Sequence, residues 1–147
     1  MACGGDDEIT ETLEGTISFA DTTIAIQSMM FVENEDIGSW ILLGDGTVRA
    51  SLLGPPGGSS NYVVQISLSN ISEGTYLYNS GAIREIILYE NGQKKYWLPF
   101  GDEPGQIRLT GSGSRWKLEL IDLAMHNGTI GGDIVLNGTI EGPIETP

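Results

Sequence analysis

Apolar and polar residues alternate along much of the chain, in short runs that glycine-rich turns separate. The clearest run is YVVQISL at residues 62–68, and WKLEL at residues 116–120 repeats the same period. A two-residue period is typical of a β-strand that buries one of its faces. Residues 82–90 allow a helical alternative, but the turn signals on both sides favour a strand there as well. The pattern therefore predicts a protein built of strands.

Turn signals connect these strands into antiparallel hairpins. Asn91-Gly92 stands between apolar runs at residues 83–89 and 94–98, and Asn-Gly is the strongest short hairpin signal. Gly44-Asp45-Gly46 predicts another hairpin, whose returning strand would cover residues 47–53. Both turns imply that strands which follow each other in the chain also pair with each other.

A longer alternating run lies nearer the N-terminus and completes the fold prediction. It predicts one strand over residues 23–32, with Ile24, Ile26, Met30 and Val32 on one side and Ser28 as an interruption. In total we expect about ten short strands in a single domain over residues 13–144, after a flexible acidic tether at residues 1–12. Persistent alternation implies antiparallel sheets with one buried face. The expected fold is all-β, an antiparallel β-sandwich, with a lipocalin-like closed barrel as the alternative.

The charge of the chain excludes some classes of partner. Seven Lys and Arg residues stand against 20 Asp and Glu residues, which gives a net charge of −13. Binding to phosphates needs clustered cations, and the one adjacent cationic pair is Lys94–Lys95. We therefore expect no nucleic acid partner and no direct contact with an anionic membrane surface. No apolar run approaches the roughly 18 residues that a membrane-spanning helix needs.

The first residues suggest another route to a membrane. The chain holds a single cysteine, Cys3, which excludes a disulfide framework. Ala2-Cys3 resembles the cleavage region of bacterial lipoproteins, in which a small residue precedes the cysteine that becomes the acylated N-terminus. The resemblance implies lipid attachment at Cys3 and a signal peptide that Met1 replaces. Asp6-Asp7-Glu8 loosely resembles the signal that sends lipoproteins of Bacteroidota to the cell surface. The expected location is thus the outer membrane, on the cell surface or the periplasmic face.

The second half of the chain carries a sequence of short motifs that we recognise as a whole. In order they are EGTY at 73–76, GQIRLT at 105–110, WKLEL at 116–120, IGGDI at 130–134 and GTIEGP at 138–143. Together they resemble small β-sandwich lipoproteins of gut Bacteroidota, over roughly residues 60 to 144. The resemblance implies the fold and the lipid anchor, and it supplies no catalytic residue.

Catalytic chemistry finds little support in the residues themselves. His126 is the single histidine and lies in a predicted turn, and no serine occupies a Gly-x-Ser-x-Gly motif. A glycoside hydrolase needs two carboxyl groups at a fixed separation, and the sequence does not select a pair. We therefore expect a protein that is not an enzyme, with a small glycoside hydrolase as a less favoured possibility.

Aromatic residues give the best indication of binding. Tyr89, Tyr96 and Trp97 surround the Asn91-Gly92 hairpin, and Trp40 begins a predicted strand. Flat rings stack on sugar faces, while their polar atoms reach hydroxyl groups. These four residues are the candidate ligand-binding set, with core packing as the competing explanation.

One acidic loop is a candidate for calcium, which needs only oxygen ligands. It contains Glu33, Glu35 and Asp36, without the regular spacing of an EF-hand, so a solvated loop is the competing explanation. No other cofactor is expected. The chain is thus predicted to be a lipid-anchored binding module for a glycan or an envelope protein. The alternative is a structural subunit that pairs with another envelope protein through an edge strand.

Overall fold

Eleven β-strands account for most of the chain that the structure, a computed structural model, describes: residues 12–34, 38–51, 56–77, 82–97, 105–127 and 133–147. In chain order they are β1 Glu14–Phe19, β2 Thr22–Ala25, β3 Ser28–Asn34, β4 Gly38–Gly44, β5 Tyr62–Leu68, β6 Gly74–Leu77, β7 Ile83–Glu90, β8 Gln93–Trp97, β9 Gln106–Ser112, β10 Arg115–Met125 and β11 Ile134–Pro143. No described residue lies in a helix. The all-β prediction is confirmed.

The strands form two antiparallel sheets. Sheet I has the order β2-β1-β11-β10-β9-β6, and sheet II has the order β3-β4-β5-β7-β8. Each sheet keeps two edge strands, so the two do not close into one barrel. The predicted β-sandwich is therefore confirmed, and the alternative of a lipocalin-like closed barrel is wrong. The Asn91-Gly92 hairpin is also confirmed, since β7 pairs directly with β8 and both turn residues have positive φ.

A single apolar core fills the space between the sheets. Aromatic pairs cross this space at two places. Phe19 of sheet I meets Tyr62 of sheet II with ring centroids 5.8 Å apart, and Trp116 of sheet I meets Phe31 of sheet II at 5.4 Å. Trp116 is thus partly buried and packs against the core.

The predicted strand over residues 23–32 is in fact two strands in different sheets. β2 ends at Ala25 and β3 begins at Ser28, so the chain crosses from sheet I to sheet II between them. The crossing changes the phase of the alternation: Met29 and Phe31 face the core, while Met30 and Val32 lie on the outer face of sheet II. The prediction that Met30 and Val32 share a side with Ile24 and Ile26 is therefore wrong, because a one-residue change of phase reverses the two faces of a strand.

The segment that joins β4 to β5, residues 45–61, does not form the predicted returning strand. Within its described part, a single bridge pairs Arg49 with Gly57, while side chains of Ser59 and Ser60 take part in most of the hydrogen bonds of Thr47. The described residues of this covering segment fold back over the outer face of sheet II, where Val48 is buried. Residues 52–53 of the predicted strand lie outside the described residues.

Two backbone bridges hold the sheets together along their sides. Trp97 of β8 and His126, just after β10, exchange both backbone hydrogen bonds at 2.8 Å. On the opposite side, Glu145 donates to the Met29 carbonyl and accepts from the Phe31 amide. Glu145 lies just beyond the predicted domain end at residue 144. These bridges partly cover the edge strands β8 and β3.

Candidate functional site

The outer faces of the two sheets differ in chemistry. Sheet I presents mainly hydroxyl and charged side chains, such as Thr16, Thr139 and the Arg108–Glu119 ion pair at 3.8 Å. Sheet II instead carries a second apolar cluster on its outer face, which we call the aromatic face. Its buried members are Met30, Val32, Leu42, Val48, Val63, Ile87 and Tyr89, and the partly buried members are Trp40, Ala50 and Trp97. Large side chains on an outer face are the usual mark of a surface that is covered or used for binding.

The aromatic face brings together three of the four aromatic residues predicted to bind a ligand. Trp40 on β4, Tyr89 on β7 and Trp97 on β8 all belong to this cluster. Tyr96 does not, because neighbouring residues of a strand point to opposite faces, and its side chain packs against the core between the sheets. We therefore remove Tyr96 from the candidate site.

Trp40 lines an open depression at one end of the aromatic face. Strand register places Ser67 on β5 opposite Trp40, and Glu85 on β7 opposite Ser67. Ser39 and Arg84 line the same depression, which has a volume of about 320 Å³. We call it the Trp40 depression. It combines an indole ring with the Ser67 hydroxyl, a carboxylate and a guanidinium, since the alternation of β4 turns the Ser39 side chain to the opposite face of the strand from Trp40.

A β-bulge and a glycine position Arg84 in this depression. The pairing of β5 with β7 shifts register between Ser67 and Leu68, which makes Arg84 the extra residue on β7. One guanidinium nitrogen lies 3.1 Å from where a Cβ would stand at Gly38. Gly38 also has a φ of 108°, which residues with a side chain rarely adopt. Glycine at this position therefore permits the close approach of the guanidinium.

Tyr89 lies further along β7 on the same face as Glu85. Burial of its hydroxyl, and secondarily the negative charge of Glu85, raise the pKa of Tyr89 above the ordinary value of 10.0. The phenol thus stays protonated well above neutral pH. It offers a neutral hydroxyl that can both donate and accept a hydrogen bond.

The opposite end of the aromatic face contains Trp97 and a histidine. The Lys94 ammonium lies 5.0 Å from the centroid of the Trp97 ring. Residues that exchange both hydrogen bonds in an antiparallel pair share a face, so His126 extends the face beside Trp97. Its Nδ1 lies 2.7 Å from a carboxylate oxygen of Asp133. The other ring nitrogen, Nε2, is buried and has no hydrogen-bond partner, which is uncommon in native proteins.

The remaining predicted sites are only partly covered by the structure. Glu33 is exposed at the end of β3, while Glu35 and Asp36 lie outside the described residues, so the calcium site stays a prediction. Among the described residues no three His, Cys, Asp or Glu side chains group together around a possible metal position. Cys3 and the acidic tether also lie outside the described residues.

Comparison with known proteins identifies no relative. No protein family matches the chain, and neither the curated proteins nor the solved structures contain a significant match. Within the described ranges there is no helix with the length and apolar character needed to cross a membrane. The site must therefore be interpreted from its own geometry.

Sequence reasoning missed most of the polar residues of the Trp40 depression. Ser39, Ser67 and Arg84 were not candidates, and Glu85 was one carboxylate among many. Strand register brings these side chains together, and register is not visible in any one strand. One available signal was the continuous apolar run in strands such as WILL of β4 and IILY of β7, since such runs indicate strands buried on both faces.

Proposed function

We propose that this protein is a non-enzymatic binding module of the bacterial cell envelope, held at the outer membrane by a lipid on Cys3, and that its ligand is a glycan. The observation that carries the glycan assignment is the Trp40 depression. A half-buried indole lies there beside the Ser67 hydroxyl, a carboxylate and a guanidinium.

This combination suits a sugar better than other ligand classes. A pyranose ring presents an apolar face that stacks on an aromatic ring, and a rim of hydroxyls that need donors and acceptors. The Ser67 hydroxyl supplies both a donor and an acceptor, Arg84 supplies donors, and Glu85 supplies acceptors. An anionic ligand is disfavoured by the net charge of −13, whereas a neutral sugar meets no such repulsion.

The aromatic face extends the surface beyond a single sugar unit. Trp40 and Trp97 lie on the same outer face, on β4 and β8, with β5 and β7 between them. An oligosaccharide that lies across the strands would therefore contact the Trp40 depression first and reach towards Trp97 with its next units.

The test is retention on an array of host and dietary glycans, measured with and without calcium. Replacing Glu85 by Gln removes the charge but keeps the shape of an exposed side chain, and Trp40→Ala removes the stacking ring. Glu141→Gln is the matched control, since Glu141 is an exposed carboxylate on the outer face of sheet I. The proposal expects a specific, saturable signal that Glu85→Gln and Trp40→Ala weaken by at least about tenfold, and that Glu141→Gln leaves unchanged.

Silence across the array would overturn the glycan assignment and favour the protein partner that the sequence also allows. A signal that survives Trp40→Ala and Glu85→Gln, in variants whose thermal unfolding matches the original protein, would place the binding site elsewhere.

The lipid anchor needs a separate test. The full gene product is expressed with a lipoprotein signal peptide in a Bacteroidota host and labelled with an alkyne-bearing fatty acid. We expect the original protein to carry the fatty-acid label and the Cys3→Ser variant to lack it. Equal labelling of both proteins, or of neither, would refute attachment at Cys3.

A further inference from the structure

A second concave site lies at one end of the sandwich, between the sheets rather than on an outer face. This end cavity has a volume of about 310 Å³, and its lining includes Phe31, Glu33, Ile71, Trp116 and Ile144. Ligand-binding cavities usually start at about this size. The glycan proposal does not involve any of these residues.

The orientation of the Trp116 ring is determined by its surroundings. Its Nε1 donates a hydrogen bond to the Gly113 carbonyl at 3.0 Å. On β9, a Cβ at Gly111 would stand only 2.9 Å from Cδ2 of the indole, so glycine makes room for the ring. Phe31 packs against it at an interplanar angle of 58°. Because the indole N–H is already satisfied, the two rings offer the cavity π-electron density rather than hydrogen bonds.

Glu33 provides a charge at the same cavity. The alternation of β3 places residue 33 on the same side as Met29 and Phe31, which face the core. A carboxylate at such a position is unusual, and here the strand end leaves it exposed to solvent. Among the described residues that line the cavity, Glu33 has the one ionisable side chain.

We propose that the end cavity binds the quaternary ammonium group of a small organic cation. Aromatic rings attract cations through their quadrupoles, and an adjacent carboxylate adds a direct charge interaction. A quaternary ammonium also has no N–H to satisfy, which fits a lining made mainly of apolar residues. The net charge of −13 attracts cations towards the protein.

The test compares choline with its neutral isostere 3,3-dimethylbutan-1-ol, in which carbon replaces the charged nitrogen. Binding to the full chain is followed by the NMR shift of the Trp116 indole N–H, assigned with Trp116→Phe. The proposal expects choline to bind at least about tenfold more tightly than the alcohol. Equal affinities would show an apolar cavity without selectivity for charge, and no shift with choline would show no site; either result overturns the proposal.

Charge removal gives the second arm. Glu33→Gln should weaken choline binding by about fivefold or more, whereas Glu14→Gln, an exposed carboxylate on β1, should have no effect. An inward-pointing charge on an edge strand can instead protect that edge from pairing with another copy. If Glu33→Gln leaves choline affinity unchanged and promotes self-association in light scattering, Glu33 protects the edge and the proposal is wrong. Choline should bind equally well to the Trp40→Ala variant, which separates this proposal from the glycan site.

Discussion

Replacing Leu42 by Ala tests whether the covering segment closes the middle of the aromatic face. Leu42 points away from the main core, yet only 2% of its surface is exposed, because it packs within the second apolar cluster with residues such as Val48. Truncating a leucine on a solvated face would reduce the free energy of unfolding only slightly. A leucine in a closed apolar cluster should behave like a core residue.

The expected cost follows from cavity formation. Truncation of a buried leucine to alanine costs about 2 to 5 kcal/mol, depending on how far the surroundings collapse. We expect about 3 kcal/mol for Leu42→Ala, since the hydrogen bonds of Ser59 and Ser60 tie the covering segment to itself rather than to the sheet, and such a segment can relax more than a strand. At about 3 °C per kcal/mol for a chain of this size, the midpoint of thermal unfolding should fall by about 10 °C.

The assay is unfolding by urea and by heat, with Leu77→Ala as the matched control. Leu77 is 47% exposed on the edge strand β6, so its truncation should cost about 0.5 kcal/mol or less. A loss below about 1 kcal/mol for Leu42→Ala would refute the reasoning. It would mean that the covering segment opens readily, and that the binding surface extends under it.

Three further predictions concern individual contacts. Tyr76→Phe should cost about 1 to 3 kcal/mol in urea unfolding, because the hydroxyl accepts the Ser72 amide hydrogen at 2.8 Å and that donor would lose its partner. Gly111→Ala should cost about 2 kcal/mol or more in the same assay, because its φ is 151° and the added Cβ would meet a backbone oxygen of the next strand at 2.5 Å. Glu85→Gln should lower the raised pKa of Tyr89 without bringing it down to 10.0, since burial is the larger cause; a difference absorbance titration against Tyr89→Phe measures this. As the pH rises through 10.0, Tyr89 ionises in the unfolded chain before it ionises in the folded protein. The contribution of Tyr89 to stability is therefore fully present below pH 10.0 and is lost as the pH rises towards the raised pKa of the folded protein.

Local signals in the sequence were sufficient for most of the strands and for the pairing of neighbouring strands such as β7 and β8. Asn91-Gly92 predicted the β7–β8 hairpin because a two-residue hairpin turn needs positive φ values, which Asn and Gly accept. The same kind of signal failed at residues 44–46. There the predicted returning strand was replaced by side-chain hydrogen bonds from Ser59 and Ser60, and no rule about the turn itself anticipates contacts made by residues a dozen positions away.

Face assignment was harder to predict than strand position. The crossing between β2 and β3 falls at Gln27-Ser28, a short polar interruption of the alternation, and the apolar residues that follow it, Met29 to Val32, fit either phase. Met29 and Met30 satisfied both phases equally well. The same ambiguity affects the aromatic residues around the β7–β8 hairpin. The sequence could name them as candidates, but only the structure shows that Tyr96 faces the core and Trp97 the outer face.

The contrast between the two outer faces supports the proposal that sheet II presents a binding surface. A protein that needed only a soluble outer face could have used the hydroxyl and charged residues that it places on sheet I. Sheet II instead carries two tryptophans and a tyrosine, and the covering segment buries Val48 against this cluster. Burial under the covering segment does not explain the polar residues around Trp40. There Ser39, Ser67, Arg84 and Glu85 line an open depression beside the ring. Shielding an apolar face does not require convergent polar groups, whereas recognition of a hydroxyl-rich ligand does.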